Sequence, residues 1–122
     1  MAETDLLDAQ ALEYLATGHA FAPHPSFAGV SLARLADEAA TAGRFASFLV
    51  RLEPGAAMRP HRHATQVEQH LVLAGSGRLD LAGEVRDYRP GSLAVIAQGA
   101  EHGVVAGPRG MRLLAVFSPA QP

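Results

Sequence analysis

Three histidines and one glutamate are the side chains of this sequence with the clearest chemical potential. His61 and His63 are separated by a single residue, Glu68 follows shortly after them, and His102 lies far along the chain. On a helix the two nearby histidines would point about 200° apart, whereas on a strand they would share one face. Three imidazoles and a carboxylate suit one divalent transition metal ion, such as Fe, Mn, Ni, Co, Zn or Cu. We therefore interpret His61, His63, Glu68 and His102 as a candidate set of metal ligands.

Residues near these ligands are candidates for a substrate pocket. If Glu68 faces inward from a strand, Gln66, His70 and Val72 share its face. We predict a catalytic role for His70 as a general base or as a hydrogen-bond donor to substrate, and the alternative is a packing role or support of a metal ligand. Arg59 has the parity of His61, so its guanidinium is predicted to reach the mouth of the barrel and bind a substrate carboxylate; the alternative is a solvated side chain or a pair with a surface acid.

The segments that would position these residues are predicted to be short strands. From Arg44 onward, apolar runs alternate with turn residues, which predicts an all-β sandwich or barrel. The runs cover residues 45–52, 57–63, 67–74, 77–82, 84–89, 92–97, 102–106 and 111–117. The predicted turns include Gly75-Ser76-Gly77 and the segment 107–110.

The N-terminal part has a different pattern. Leu6, Ala9 and Leu12 follow helical spacing, which predicts a helix over residues 5–17 with Asp5 as its N-cap and a stop at Gly18. Residues 18–29 are predicted to form an extended arm, and a strand is expected near residues 30–35. His19 and His24 are predicted on the surface of this arm, with a lid over the barrel as the alternative. The expected division is a helix and arm over residues 1–29 and a barrel domain over residues 30–122.

Two spaced motifs make the sequence resemble the cupin superfamily. Residues 55–75 read Gly55-x5-His61-x-His63-x4-Glu68-x6-Gly75, which fills every fixed position of the first cupin motif. The second motif appears as Gly91-x5-Ala97-x-Gly99-x2-His102-x3-Ala106, in which Ala97 replaces a proline and Ala106 an asparagine. The resemblance covers residues 44–117. It implies an antiparallel jelly-roll barrel (a double-stranded β-helix), the four metal ligands and a homodimer.

The resemblance leaves several functions open. We predict a metal-dependent enzyme that acts on a small organic molecule, and a dioxygenase-type oxidoreductase is the first expectation. A redox-neutral isomerase, lyase or cyclase would use the same ligands, with His70 moving the proton. The third possibility is a metal- or small-molecule-binding module without turnover.

Composition excludes other classes of function. The formal net charge is −2 and no basic stripe is present, so nucleic-acid binding is not expected. The absence of cysteine removes disulfides, thiol nucleophiles and cysteine-type zinc sites. The longest apolar runs, such as residues 93–97, are too short for a membrane span. Because the first residues are acidic and no apolar signal segment follows, we expect a cytoplasmic protein.

Overall fold

The computed structural model describes residues 4–121, so residues 1–3 and 122 of the predicted domains lie outside the described chain. Its elements are α1 (Ala9–Thr17), β1 (Ala22–Pro23), β2 (Val30–Ala36), α2 (Glu38–Thr41), β3 (Ala46–Leu52), β4 (Ala57–His61), β5 (Val67–Leu81), β6 (Glu84–Tyr88), β7 (Leu93–Ile96) and β8 (His102–Ser118). The predicted all-β architecture with a short N-terminal helix is confirmed. None of the helices within residues 4–121 is long and apolar enough to cross a membrane.

All strand pairs are antiparallel, and two long strands connect the two halves of the barrel. Strands β5 and β8 pair with each other along most of their length. One half of β8 also pairs with β3 and the other half with β4. In the same way, one half of β5 pairs with β7 and the other half with β6. The two sheets therefore share their central strands, as in a jelly roll.

The interior of the barrel follows from the period-two pattern of the strands. In β5, Glu68, His70 and Val72 are buried, while the alternating Val67 and Gln69 are exposed. Strand β7 shows the same alternation. The core contains large apolar side chains from several strands, among them Leu52, Leu79, Ile96, Met111 and Leu113.

Two of the predicted turns are absent, because the runs on either side of them form single strands. The expected hairpin turn Gly75-Ser76-Gly77 lies inside β5, and the expected turn over residues 107–110 lies inside β8. The pairing of these strands shifts register between Gly75 and Gly77. A Cβ on Gly75 would collide with the carbonyl oxygen of Gly110, and one on Gly77 with that of Val105. The glycines therefore permit a close crossing of two strands rather than a reversal of the chain.

The N-terminal helix begins later than predicted. Asp8 is the N-cap of α1, and its carboxylate accepts a hydrogen bond from the amide of Ala11, while Gly18 ends the helix as predicted. Asp5, the predicted N-cap, instead accepts a hydrogen bond from the amide of Gly75 at 2.9 Å. The Asp5 side chain therefore connects the segment before α1 to β5 instead of capping the helix.

Candidate metal centre

A bulge in β4 sets the position of His61. Met58 pairs with Val104 of β8 and His61 pairs with His102, so three steps along β4 match two steps along β8. This extra residue lets Met58 and His61 both line the same cavity although they are three residues apart. His63 lies beyond the end of β4, which stops at His61 and not at residue 63 as predicted.

The other two candidate ligands lie near the starts of the long strands. Glu68 is the second residue of β5 and His102 the first of β8. Their neighbouring positions on the barrel wall leave Glu68 5% exposed and His102 2% exposed. A buried carboxylate beside buried imidazoles needs a proton or a cation to balance its charge.

The four predicted ligands come together in the barrel. The ligating nitrogens of His61, His63 and His102 all lie within 4.8 Å of one another, so this group could hold a metal ion. The Oε1 atom of Glu68 lies 3.0 Å from Nε2 of His102 and 3.3 Å from Nε2 of His63. The membership of Glu68 as a fourth ligand stays a prediction, which these distances support.

In two of the histidines, His61 and His102, a hydrogen bond to a backbone carbonyl determines which ring nitrogen faces the centre. Nδ1 of His61 donates to the carbonyl oxygen of Arg59 at 2.7 Å, and Nδ1 of His102 donates to that of Ala100 at 3.0 Å. In a neutral imidazole the other nitrogen then carries a lone pair. Both residues therefore present Nε2 as the ligand atom, held in orientation by the bond on Nδ1.

The donor atoms at the centre fit a bound cation. Nε2 of His63, Nε2 of His102 and Oε1 of Glu68 are buried and have no hydrogen-bond partner among the described residues. With its proton on Nδ1, neutral His102 brings only a lone pair to the carboxylate oxygen beside it. Buried polar atoms without partners are rare in proteins, so the residues fit a divalent metal ion.

Without a metal, protons take over the same role. Burial alone would raise the pKa of Glu68, but the imidazoles of His102, His63 and His70 donate hydrogen bonds to the carboxylate when they carry the proton, and this holds the pKa well below its ordinary value. Burial alone would lower the pKa of His102, but the Glu68 carboxylate and the Ala100 carbonyl raise it. The pKa of His61 is lowered, mainly by burial. The centre is thus built around an ionised Glu68 that attracts positive charge.

His70 connects Glu68 to a tyrosine that the sequence analysis did not assign to the site. Its Nε2 lies 2.6 Å from Oε2 of Glu68, and its Nδ1 lies 2.8 Å from the hydroxyl of Tyr88. Burial, reinforced by the charge of Glu68, raises the pKa of Tyr88. The hydroxyl therefore donates to Nδ1, and Nε2–H donates to the carboxylate. The only sequence signal for Tyr88 is that a buried tyrosine hydroxyl needs a partner.

The centre forms one side of a cavity of about 240 Å³. The apolar part of the lining includes Leu32, Phe48, Val50, Met58 and Phe117. Gln66 and His70 line the cavity, and their contact with a substrate stays a prediction. Gln66 is anchored at the edge, since its amide nitrogen donates to the carbonyl oxygens of Pro119 and Ala120 at 3.0 and 3.3 Å.

Two residues predicted in the pocket do not line this cavity. Val72 is fully buried in the core beneath it. Arg59 is exposed, and its guanidinium lies 5.6 Å from the ring centre of Phe27. The bulge after Met58 breaks the alternation on which the parity argument for Arg59 rests, and its exposed position agrees with the alternative of a solvated side chain.

Among the described residues, no arginine lines the cavity, whereas one histidine of the N-terminal arm does. That histidine is His24, which is half-buried and not simply on the surface. The alternative prediction, in which the arm folds over the barrel, therefore describes His24 better. His19 of the same arm does not line the cavity.

Comparisons with known proteins agree with this architecture. The chain is 45% identical over 67 residues to the dimethylsulfoniopropionate lyase DddW of Ruegeria pomeroyi, a match that covers 55% of this chain and 43% of that protein. The chain thus matches less than half the length of this curated relative. The solved structure of KdgF from a Halomonas species is 25% identical, with a TM-score of 0.73, over 84% of this chain and 89% of that one.

A second solved structure, the polyketide cyclase RemF from Streptomyces resistomycificus, is 27% identical. Its TM-score is 0.73, and the match covers 86% of this chain and 76% of that one. The family model described as Cupin domain (Cupin_2) matches residues 48–117, which is more than half of the sequence and includes all four candidate ligands. The chain therefore belongs to the cupin domain family.

Proposed function

We propose that this protein is a metal-dependent enzyme that carries out redox-neutral chemistry, of the lyase or cyclase kind, on a small organic acid. The observation that carries the proposal is a cluster of buried metal-ligating nitrogen and oxygen atoms that have no hydrogen-bond partners. These atoms line a cavity whose other lining residues are largely apolar. The direction toward redox-neutral chemistry comes from the similarity to a lyase and to a cyclase.

His61, His63, Glu68 and His102 would hold the cation in this proposal. A divalent ion bound there would act as a Lewis acid on a carboxylate or carbonyl oxygen of the substrate. Because no arginine among the described residues lines the cavity, the charge of an anionic substrate would have to be balanced at this centre. This requirement places the acid group of the substrate against the histidines.

The remaining lining residues would orient the substrate and exclude water. The apolar wall that includes Phe48, Met58 and Phe117 suits the hydrocarbon part of a small acid. In an elimination, a proton would leave the carbon next to the carboxylate while the bond to a leaving group on the following carbon breaks. The electron pair of the C–H bond then forms the new carbon–carbon double bond.

The contacts of His70 bear on which residue accepts this proton. His70 has both nitrogens engaged, by Glu68 and by Tyr88. It can accept a proton on Nδ1 only after the Tyr88 hydroxyl turns away. We therefore assign His70 first to positioning Glu68, and its catalytic role stays a prediction.

Assays with and without oxygen separate this proposal from the predicted dioxygenase. We expect protein purified without chelators to contain a transition metal and to convert β-substituted small acids, with dimethylsulfoniopropionate among them, to unsaturated acids. Turnover should continue under strict anaerobiosis, as measured by proton NMR of the product. His102→Ala should abolish metal binding and turnover, whereas the matched change His19→Ala should leave both intact.

Turnover that requires dioxygen would instead support the dioxygenase prediction. Metal binding without turnover of any panel member would support a binding module. A protein that takes up no transition metal would contradict the whole proposal.

A further inference from the structure

The N-terminal arm carries an ordered histidine to the cavity. Strand β1 pairs with β2 through Ala22 and Pro23. Immediately after it, the amide of His24 donates to the carbonyl oxygen of Val30 at 2.8 Å. These bonds fix the backbone of the arm beside the barrel, and the imidazole of His24 becomes part of the cavity lining.

A local backbone contact determines the tautomer of His24. The amide of Ser26 donates to Nδ1 of His24 at 3.0 Å. Because Nδ1 is the acceptor, the proton of the neutral ring lies on Nε2. Burial lowers the pKa of His24, which favours this neutral form. The ring therefore offers an N–H donor through Nε2.

An aromatic column holds the same ring in place relative to the metal centre. The ring of His24 stacks on Phe27 with centroids 4.5 Å apart, and Phe27 packs on His61 with centroids 5.3 Å apart. His24 is thus separated from the candidate ligand His61 by one aromatic ring. His24 is not part of the group of three histidines whose nitrogens could hold a metal ion.

The other polar side chains that line the cavity are already engaged in hydrogen bonds or belong to the metal centre. Gln66 uses its amide nitrogen on carbonyls near the C-terminus, and His70 uses both nitrogens on Glu68 and Tyr88. The remaining polar lining residues form the metal centre. Among the described residues, the side chain of His24 makes one hydrogen bond, which its Nδ1 accepts from the amide of Ser26. His24 therefore has an uncommitted donor on a ring that lines the cavity.

We propose that His24 is a positioning residue that donates from Nε2–H to a second oxygen of the substrate, away from the oxygen held at the metal centre. This inference rests on the proposed function, since it needs a substrate bound at that centre. Among small acids, it favours those with two separated acceptor groups, such as dicarboxylates and keto acids, over monoacids such as dimethylsulfoniopropionate. A monoacid would reach the metal centre but leave His24 without a partner.

Binding of two simple acids to the cobalt-loaded protein tests this inference without any assay of turnover. The visible absorption of Co(II) reports first whether the metal centre forms and then whether an acid binds to it. The probes are succinate, with two carboxylates, and propionate, with one. We expect the wild-type protein to bind succinate more tightly, because only succinate can use both the metal and His24.

Variants of His24 provide the decisive comparison. His24→Phe keeps an aromatic ring for the stack on Phe27 but removes the donor, so succinate affinity should fall about tenfold, the effect of one hydrogen bond. Propionate affinity should be unchanged. His24→Gln retains an N–H donor and should keep part of the preference, and it also serves if His24→Phe proves unstable in thermal unfolding. His19→Phe, in the same arm, is the matched control.

The outcomes distinguish the two proposals. If wild-type protein binds no Co(II), the metal centre and the proposed function fail together. If Co(II) binds normally but His24→Phe and His24→Gln keep the full preference for succinate, or weaken both acids equally, the role of His24 is overturned and the metal centre remains.

Discussion

At the scale of single residues, the centre depends on where each proton lies. The carbonyls of Arg59 and Ala100 hold the Nδ1 protons of His61 and His102, so the Nε2 atoms are available. Nε2–H of His70 is directed at Oε2 of Glu68, which leaves Oε1 for a cation. Hydrogen bonds to ligands of this kind fix their orientation and basicity.

The Tyr88–His70–Glu68 chain leads to a prediction about metal affinity. We expect His70→Leu to weaken zinc binding about 10–100-fold, because Glu68 loses the donor that orients it. Tyr88→Phe should cost only a few-fold, since its hydroxyl acts through His70. Chelator competition with zinc measures both, and Tyr14→Phe, with a side chain 68% exposed, is the control.

The double variant is the stricter test of this chain of contacts. Once His70 is replaced by Leu, the further change Tyr88→Phe should have no effect on zinc affinity, because the two residues act in series. If Tyr88→Phe weakens zinc binding equally in both backgrounds, Tyr88 acts on the centre independently of His70.

At the scale of elements, the crossing of β5 and β8 imposes the strictest steric requirement that we find in the fold. Both strands continue through segments that look like turns in the sequence, and their backbones approach too closely for a side chain at Gly77. The crossing holds the metal-binding end of each strand, at Glu68 and His102, in one framework. Its disruption should therefore affect the whole barrel rather than one loop.

Substitution at this crossing should be costly. We expect Gly77→Ala to lower the free energy of unfolding by about 2–3 kcal/mol, because the added Cβ meets the carbonyl oxygen of Val105. Gly83→Ala is the matched control: Gly83 has φ of +85° but open space around it, so only a conformational cost of about 1 kcal/mol is expected. Urea unfolding measures both changes. Equal costs at the two positions would contradict the proposed close approach.

At the scale of the whole molecule, metal binding and folding should be linked. The ligands come from β4, the segment after it, β5 and β8, so the centre exists only in the folded barrel. A ligand that binds only the folded state stabilises it by about 4 kcal/mol at a thousand times its dissociation constant. Association into the predicted homodimer would also stabilise the folded state. The homodimer itself stays a prediction.

Thermal unfolding with zinc and with a chelator tests this linkage. At pH 8 we expect zinc to raise the midpoint temperature by more than about 10 °C. The gain should shrink as the pH falls, because the pKa of His102 lies above its ordinary value and protons compete for its Nε2. Glu68 stays ionised throughout, since its pKa is lowered. A zinc effect that is the same at pH 8 and pH 5 would contradict histidine ligation.

The sequence by itself determined the all-β barrel, the cupin motifs and the residues that meet at the centre. Those features depend on local spacing and period, which the two motifs, from Gly55 to Gly75 and from Gly91 to Ala106, and the alternating strands and turns after Arg44 carry. The inward direction of Glu68 and His70 also followed, because β5 alternates without interruption over that stretch.

Only the tertiary structure decided the surroundings of the centre. The bulge in β4 turns Arg59 outward and Met58 inward, and no pattern within a single strand reveals a mismatch with its partner. Tyr88 and His24 reach the site from β6 and from the arm, across contacts that join distant parts of the chain. Spacing predicts which residues share a strand face, but packing between elements determines which of them share a cavity.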